Sequence, residues 1–174
     1  SVQEDVERLK RELGAEQASF FMLVPLPGSR DHARMERAGE YMDPDLNKYD
    51  GFHETMSHPN FAPGEWYAAY RKAWRSFYTF DYMREVLARA KPENYWNIFL
   101  NFIWYKNSAF VEDGHPMVHG FFRLKDRTDR RPGFAVESRS EHFRRRFCEL
   151  RGLVRAWISL GLEMEELWLQ TRKR

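Results

Sequence analysis

The chain has 174 residues, which predicts one domain, and its 43% hydrophobic content excludes wholesale disorder. Its net charge of +2 is too small to indicate nucleic-acid binding by itself, although aromatic residues are abundant at 16%. A single cysteine, Cys148, excludes an intrachain disulfide and an all-cysteine metal or iron–sulfur site, and it favours a reducing, cytoplasmic location. The most apolar segment, residues 95–105, is shorter than the roughly 20 apolar residues that span a membrane.

An amphipathic pattern predicts a helix over residues 1–13, and the charged character of this helix does not fit a signal peptide. Residues 18–24 follow as a continuous apolar run, which predicts a fully buried β-strand. Pro25 and Pro27 end this strand because proline cannot donate a ladder hydrogen bond. Its backbone needs a neighbouring strand, and the one competing segment, residues 117–124, is ambiguous between a short helix and an extended segment.

The region after this strand predicts a short helix and then a long loop. Ser29 or Asp31 is placed to cap the helix, and Gly39 is placed to end it. Residues 41–63 are dense in Asp, Asn, Pro and Gly but also rich in Tyr, Phe and Met. This composition favours an ordered loop that lies on a surface over a free linker.

The remaining residues predict helices joined by one basic loop. One helical pattern covers residues 65–90 with a break near Thr79, and a second covers residues 93–110. The second is apolar around most of its girth, which is typical of a buried or interface helix. A basic loop over residues 123–133 precedes a helical pattern from Ser138 to the C-terminus. Large apolar residues of that last helix recur at spacings of three and four: Phe143, Phe147, Leu150, Val154, Trp157 and Ile158.

The histidines do not predict a metal site. His53 and His58 are five residues apart in a proline-flanked loop, whereas helical zinc motifs place two histidines four apart on one face. Exposed or hydrogen-bonded loop histidines are the expectation for this pair. His115 and His119 have the four-residue spacing, but Pro116 interrupts the helix that chelation requires.

Other polar groups also favour structural roles. Asp43, Asp45 and Asp50 match only part of a calcium loop, so Asx turns and helix caps are expected. Cys148 lies in a basic helical stretch beside core positions, which favours a structural thiol over a nucleophile. A basic cluster predicts either a solvated face, balanced by Glu141 and Glu149, or a surface for phosphates, with an acidic partner, anionic lipid and RNA as the alternatives. Its members are Arg123, Lys125, Arg127, Arg130, Arg131 and Arg144 to Arg146.

One resemblance goes beyond these patterns. Residues 9–35, LKRELGAEQASFFMLVPLPGSRDHARM, resemble the last helix–strand unit of the barrel in radical S-adenosylmethionine (radical SAM) enzymes with an N-terminal cobalamin-binding-like domain. In that family a strand ending in a phrase like F-x-x-x-P-x-P-G-[ST] closes the catalytic core. The phrases MDPDLNKYD, EWYAAYRKAWRSFY and HPMVHGFFRLKDRTDRRPG resemble the C-terminal extension of one branch of the family.

The resemblance implies a parent enzyme that cleaves S-adenosylmethionine reductively at a [4Fe–4S] cluster. That cluster takes three cysteines in a C-x3-C-x2-C run, and this chain has one cysteine. No catalytic residue, metal ligand or cofactor is therefore expected in this chain alone. What carries over is a position at the barrel mouth, close to cofactor or substrate, for five residues: Pro25, Leu26, Pro27, Gly28 and Ser29.

The expected fold is mainly α (α+β), with one helix–strand unit from a (β/α) barrel end over residues 1–40 and a mostly helical extension over residues 41–174. The expected function is that of a C-terminal fragment of a radical SAM enzyme, which covers the barrel mouth or mediates assembly. Its partner would be the missing N-terminal barrel region or a second copy of the chain, with residues 18–24 paired between chains or at the edge of a minimal sheet. The alternative is an autonomous helical interaction module that docks on a protein partner or an anionic membrane surface, and no nucleic-acid partner is expected.

Overall fold

The computed structural model describes residues 1–117, 126–128 and 133–172, and these residues are mainly helical, as the sequence predicts. The ambiguous segment at 117–124, apart from its first residue, and most of the basic loop lie outside the described residues. The α-helices of the described part are α1 (Val2–Arg11), α2 (Arg30–Ala38), α3 (Glu65–Phe77), α4 (Phe80–Arg89), α5 (Pro92–Lys106) and α6 (Arg139–Thr171). A 3-10 turn, Leu46–Lys48, lies in the loop before α3, and a π-helical turn, Asn107–Val111, follows α5.

Polar caps set the helix ends where the sequence predicts them. The Ser29 hydroxyl accepts the His32 amide at 3.2 Å at the start of α2, and Gly39 ends that helix with a left-handed φ of 66°. Ser138 and Glu141 form a capping box at the start of α6. These predicted boundaries are confirmed.

The helical pattern over residues 65–90 is broken near Thr79, as predicted. Helix α3 ends at Phe77 and α4 begins at Phe80, and the Thr79 hydroxyl accepts the Tyr82 amide at 3.4 Å. The break leaves Tyr78 between the two helices with only 2% of its surface exposed.

The chain divides into two compact units, Ser1–Val86 and Leu87–Arg174. In the first unit α1 packs against α3. In the second unit α5, the π-helical turn and the C-terminal end of α6 pack together. The boundary predicted at residue 40 refers to the parent barrel, and it stays a prediction.

Residues 18–24 form neither a helix nor a β-strand, so the predicted strand is wrong for this chain. Exposure alternates from Phe20 to Leu23, as it does along an extended chain, and we call residues 18–24 the extended segment. The backbone groups of these residues find other partners: the Tyr78 hydroxyl accepts the Ala18 amide at 3.1 Å and donates to the Ala18 carbonyl at 2.7 Å. The Met22 amide donates to the Gly51 carbonyl at 2.7 Å. The described residues contain one isolated antiparallel bridge, between Met42 and Met56. Pairing of residues 18–24 with a second chain stays a prediction.

Helix α5, for which the sequence predicts a buried or interface helix, buries its apolar surface on one side only. Its buried side comprises Tyr95, Ile98, Phe99 and Phe102. Its other side exposes Trp96, Leu100 and Trp104. The predicted helix also changes character at its end, since residues 107–111 widen into the π-helical turn.

Removing the Tyr78 hydroxyl should weaken the first unit. We expect Tyr78→Phe to lower the free energy of unfolding by about 1–3 kcal/mol, because both Ala18 backbone groups lose their partner. The Phe ring keeps the stacking on Trp74, whose centroid lies 5.6 Å from that of Tyr78. The measurement is urea unfolding followed by tryptophan fluorescence. The control, Tyr41→Phe, alters an exposed tyrosine, and an equal loss in both variants would contradict the role of the hydroxyl.

Candidate functional site

The candidate site is the extended segment, residues 18–24, together with the proline turn, residues 25–29. Aromatic side chains fix the segment to the first unit. Phe20 packs edge-on against Trp74 and Phe77, with ring centroids 5.4 and 5.9 Å apart. The ring of the next residue, Phe21, stacks on that of Phe52, with ring centroids 6.4 Å apart. The segment therefore lies between α3 and the long loop.

Gly51 allows the long loop to approach the extended segment closely. It has a left-handed φ of 79°, and a Cβ atom there would lie 3.1 Å from Phe21 Cδ1. It would also lie 3.8 Å from the Met22 carbonyl oxygen, next to the Met22–Gly51 hydrogen bond. Glycine is the residue that tolerates both conditions.

The aspartates of the long loop form turns and caps, as predicted. Asp43 accepts the Asp45 amide at 2.8 Å and the Lys48 ammonium at 2.6 Å. Asp45 in turn caps the 3-10 turn. Asp50 accepts the Phe52 amide at 2.9 Å, so the loop that supports the extended segment is itself ordered by Asx turns.

Both loop histidines are hydrogen-bonded, as predicted, and His58 Nδ1 accepts the Asn60 amide at 3.1 Å. His53 Nδ1 lies 2.9 Å from an Asp50 carboxylate oxygen. His58 packs against Phe61 and Trp66, with both pairs of ring centroids 4.8 Å apart.

Glu54 is a structural residue that sequence reasoning missed. Its carboxylate accepts the Gly64 amide at 3.0 Å and the Tyr67 amide at 2.6 Å, at the start of α3. Glu54 therefore caps the N-terminus of α3, although it lies ten residues before Gly64. Gly64, the N-cap residue, has no side chain to accept these amides, so Glu54 supplies the acceptor.

The extended segment has a buried face and an exposed face. Met22 is buried at 2% exposure, and Pro25 is also buried. Phe21 and Leu23, on the opposite face, are 54% and 69% exposed. Leu26 of the turn adds a third exposed apolar side chain. These exposed apolar side chains, Phe21, Leu23 and Leu26, form an outer face of the site, which we call the Leu23 face.

The proline turn is built from the five residues that the resemblance singles out. The Ser29 amide donates to the Leu26 carbonyl at 2.9 Å, and Gly28 takes a left-handed φ of 86° to close the turn. Leu26, Pro27 and Gly28 are exposed. The Ser29 hydroxyl already caps α2. The polar groups at the exposed tip of the turn are therefore backbone groups.

A metal centre is not assembled by the part of the chain that the structure describes: no group of three His, Cys, Asp or Glu side chains is close enough to hold an ion there. His115 is buried at 1% exposure, and its Nδ1 accepts the Met117 amide at 3.1 Å. Its predicted companion, His119, lies outside the described residues.

The basic cluster is described only in part, because Arg123, Lys125, Arg130 and Arg131 lie outside the described residues. Within α6, Glu149 accepts hydrogen bonds from Arg145 and Arg146, each at 2.6 Å. Glu137 binds Arg145 through two hydrogen bonds, at 2.7 and 2.8 Å. Arg127 donates to the Glu137 carbonyl at 2.6 Å. Carboxylates therefore balance Arg145 and Arg146, and the binding of an anionic surface by the basic cluster stays a prediction.

Helix α6 carries a second exposed apolar surface. The apolar residues that the sequence places at spacings of three and four face outward, and we call this set the α6 stripe. Its members are Phe143, Phe147, Leu150, Val154, Trp157, Ile158 and Leu162. Cys148 is exposed as well, so its predicted place beside core positions is wrong, because its apolar neighbours are on the surface.

No family model, curated protein or solved structure matches the chain. Within the described ranges, no helix combines the length and the apolar composition that a membrane crossing requires. The Leu23 face and the α6 stripe are therefore the surfaces of the described residues that bear on function.

A side chain at position 51 should displace the extended segment. We expect Gly51→Ala to cost about 2–4 kcal/mol of unfolding free energy, from the left-handed backbone and the contact with Phe21. Gly39→Ala is the matched control, because Gly39 has a similar φ and no atom within 4 Å of its Cβ position. It should lose only the backbone part, about 1 kcal/mol. Equal losses in urea unfolding would show that the approach to Phe21 does not matter.

Acid should also destabilise the long loop, because it protonates Asp43. The hydrogen bond from the Lys48 ammonium, followed by that from the Asp45 amide, lowers the pKa of Asp43 below its ordinary value of 3.8. The stabilisation is therefore complete above pH 3.8 and is lost as the pH falls through the lowered pKa. We expect Lys48→Met to raise the pKa of Asp43 in an NMR titration, whereas Lys72→Met, which alters a lysine in α3, should leave it in place.

Proposed function

We propose that this chain is the C-terminal part of a larger radical SAM-like enzyme, in which the extended segment joins the barrel and the proline turn lies at the barrel mouth. The observation that carries the proposal is the Leu23 face. An extended segment with one face buried on its own unit and large apolar side chains on the other is typical of an element whose covering layer is supplied elsewhere.

The resemblance supplies a specific covering layer. In a (β/α) barrel each strand is covered by helices on one side and by the packed interior on the other. Here α3 and the long loop cover the Met22 side. The earlier barrel strands would cover Phe21 and Leu23 and would give the segment the ladder partners that it lacks in this chain.

In this proposal the chain supports the chemistry without performing it. S-adenosylmethionine and the [4Fe–4S] cluster belong to the parent enzyme, together with the cysteines that hold the cluster. Pro25 to Ser29 lie near the cofactor or substrate and shape the mouth of the barrel. The helical extension covers that mouth or mediates assembly, in a cytoplasmic enzyme.

Two measurements test this proposal together. We expect the reading frame upstream of Ser1 to encode a C-x3-C-x2-C run. In the protein that includes those residues, Leu23→Glu should reduce S-adenosylmethionine cleavage about tenfold or more, because a charge would be buried against the barrel.

The matched control is Leu46→Glu, which changes an equally large, exposed leucine in the long loop and should leave cleavage unchanged. An upstream frame without the cysteine run, or equal effects of the two substitutions, would refute the proposal.

A second candidate function is an autonomous helical interaction module that docks through the α6 stripe. The observation that favours it is the continuous exposure of this apolar surface over more than half of a 33-residue helix. A protein partner and an anionic membrane surface are the two occupants that its apolar and arginine-rich composition suits.

A further inference from the structure

Most of α6 has little packing within the chain. Its buried residues are Met164, Leu167 and Thr171, all near the C-terminal end. None of residues 139–163 is buried, although all of them are helical and described. Long helices in proteins owe most of their stability to the packing of an apolar face. The first two-thirds of α6 therefore lacks the packing that normally stabilises such a helix.

Arginines border the α6 stripe on both sides. At 3.6 residues per turn, Arg144, Arg151 and Arg155 lie about 60–100° around the helix from Val154, which is near the middle of the stripe. Arg139 lies about 60° from Val154 in the other direction. All four arginines are exposed. This part of α6 therefore has an apolar face between two basic edges.

The carboxylates on this part of α6 leave the four bordering arginines without a salt bridge to another described residue. Glu149 pairs instead with Arg145 and Arg146. Glu141 is hydrogen-bonded to the amide and the hydroxyl of Ser138. The guanidinium groups along the stripe are therefore placed to meet a negatively charged surface.

The excess of positive charge lies along the stripe. Residues 139–155 contain six arginines and two glutamates. Three glutamates follow the stripe at positions 163, 165 and 166, where α6 begins to pack within its own unit, and three basic residues come after them at positions 172–174. The apolar face and its basic edges thus coincide over residues 143–155, about 18 Å of helix at 1.5 Å per residue.

We propose that the α6 stripe and its bordering arginines bind an anionic phospholipid surface, with this part of α6 lying flat in the interface. This inference deepens the second candidate function and rests on it, since it takes α6 as the docking surface. Helices that bind in this way insert aromatic and aliphatic side chains at the boundary of the acyl chains and keep basic side chains at the headgroups. The stripe supplies the first set, which includes Phe143, Phe147 and Trp157. The bordering arginines supply the second, because their long stems let the charged ends reach the phosphates.

The presence of arginine on both edges favours a lipid surface over an acidic protein. A layer of anionic headgroups meets both edges of a flat helix at once, and each basic residue near it contributes alike. A protein partner would have to cover the stripe and also place a carboxylate opposite each arginine, since affinity between proteins depends on matched charges at defined positions. The exposed arginines are spread over 17 residues of helix, which suits a continuous negative layer.

Vesicle sedimentation tests the proposal with the whole chain. We expect the chain to bind vesicles of phosphatidylcholine mixed with phosphatidylserine, and not vesicles of phosphatidylcholine alone. Binding should be lost when the salt rises from about 0.1 M to about 1 M, because the Debye length falls from about 10 Å to about 3 Å. No binding to the anionic vesicles, or equal binding to both kinds, would overturn the proposal.

Substitutions separate the basic edges from the apolar face. We expect Arg151→Gln to weaken vesicle binding about fivefold, and Arg151→Gln with Arg155→Gln about 25-fold, from the usual contribution of a basic residue at an anionic surface. Arg75→Gln, which alters an exposed arginine of α3, is the matched control and should leave binding unchanged. Phe147→Gln should weaken binding about tenfold or more, whereas Leu46→Gln, in the long loop, should not.

Circular dichroism checks that every variant keeps its helical content. Equal effects of a stripe variant and its control, in variants that remain folded, would contradict the proposed surface.

Two labelled positions test the orientation of α6 on the vesicles. Native Cys148 and Val154→Cys, the latter in a Cys148→Ser background, are six residues apart and about 120° apart around the helix. On the bound chain, a spin label at position 154 should become accessible to oxygen dissolved in the acyl layer and lose access to a water-soluble nickel complex. The label at position 148 should stay accessible to the nickel complex. Equal accessibility of the two labels would show that another surface binds, and would overturn the proposal.

These tests distinguish the proposals from one another. If the anionic vesicles do not bind, the lipid surface is excluded, and the second candidate function is left with a protein partner. None of these results depends on the Leu23 face, so the radical SAM proposal is tested separately.

Discussion

The Tyr78 hydroxyl is the contact on which the first unit depends. It accepts the Ala18 amide and donates to the Ala18 carbonyl, which is what a neighbouring strand would otherwise do for that residue. The Tyr82 hydroxyl, one helical turn along α4, donates to the Ala15 carbonyl at 2.7 Å. Two tyrosines at the α3–α4 corner therefore hold the link between α1 and the extended segment. Because these buried backbone groups are satisfied, the segment can be extended and anchored without belonging to a sheet.

The same anchoring determines which side of the segment is available. Tyr78 and Trp74 approach from the α3 side, where Phe20 packs inward. Phe52 of the long loop stacks on Phe21, yet Phe21 and Leu23 remain 54% and 69% exposed. A segment whose backbone groups were hydrogen-bonded along both edges could not pair with another strand. A segment without hydrogen bonds on either edge would be poorly ordered. In this chain, internal contacts order the segment and leave its apolar face exposed for a partner. This combination suits an element that is completed by another part of a larger protein.

Local signals in the sequence predict the helices well and the contacts between distant residues poorly. Ser29, Gly39 and Thr79 act on residues within one turn, so their capping roles follow from sequence spacing alone. The strand prediction for residues 18–24 is wrong because an apolar run shows that a segment can be buried, whereas its partners decide whether it becomes a strand. Its partner Tyr78 is 60 residues away, and Glu54 caps α3 from ten residues upstream. Neither spacing has a recognisable sequence pattern. The exposure of the α6 stripe could not be predicted from the sequence either, because periodicity identifies an apolar face without identifying what covers it.

Helix α6 shows how a conflict between local and global preferences indicates a partner. Natural sequences usually agree at the two levels, and departures concentrate where function imposes them. In α6 the apolar stripe is left exposed over most of the helix, although long helices normally owe their stability to the packing of such a face. A partner that covers the stripe would remove this conflict, because it would give the first two-thirds of the helix the packing that a long helix normally needs.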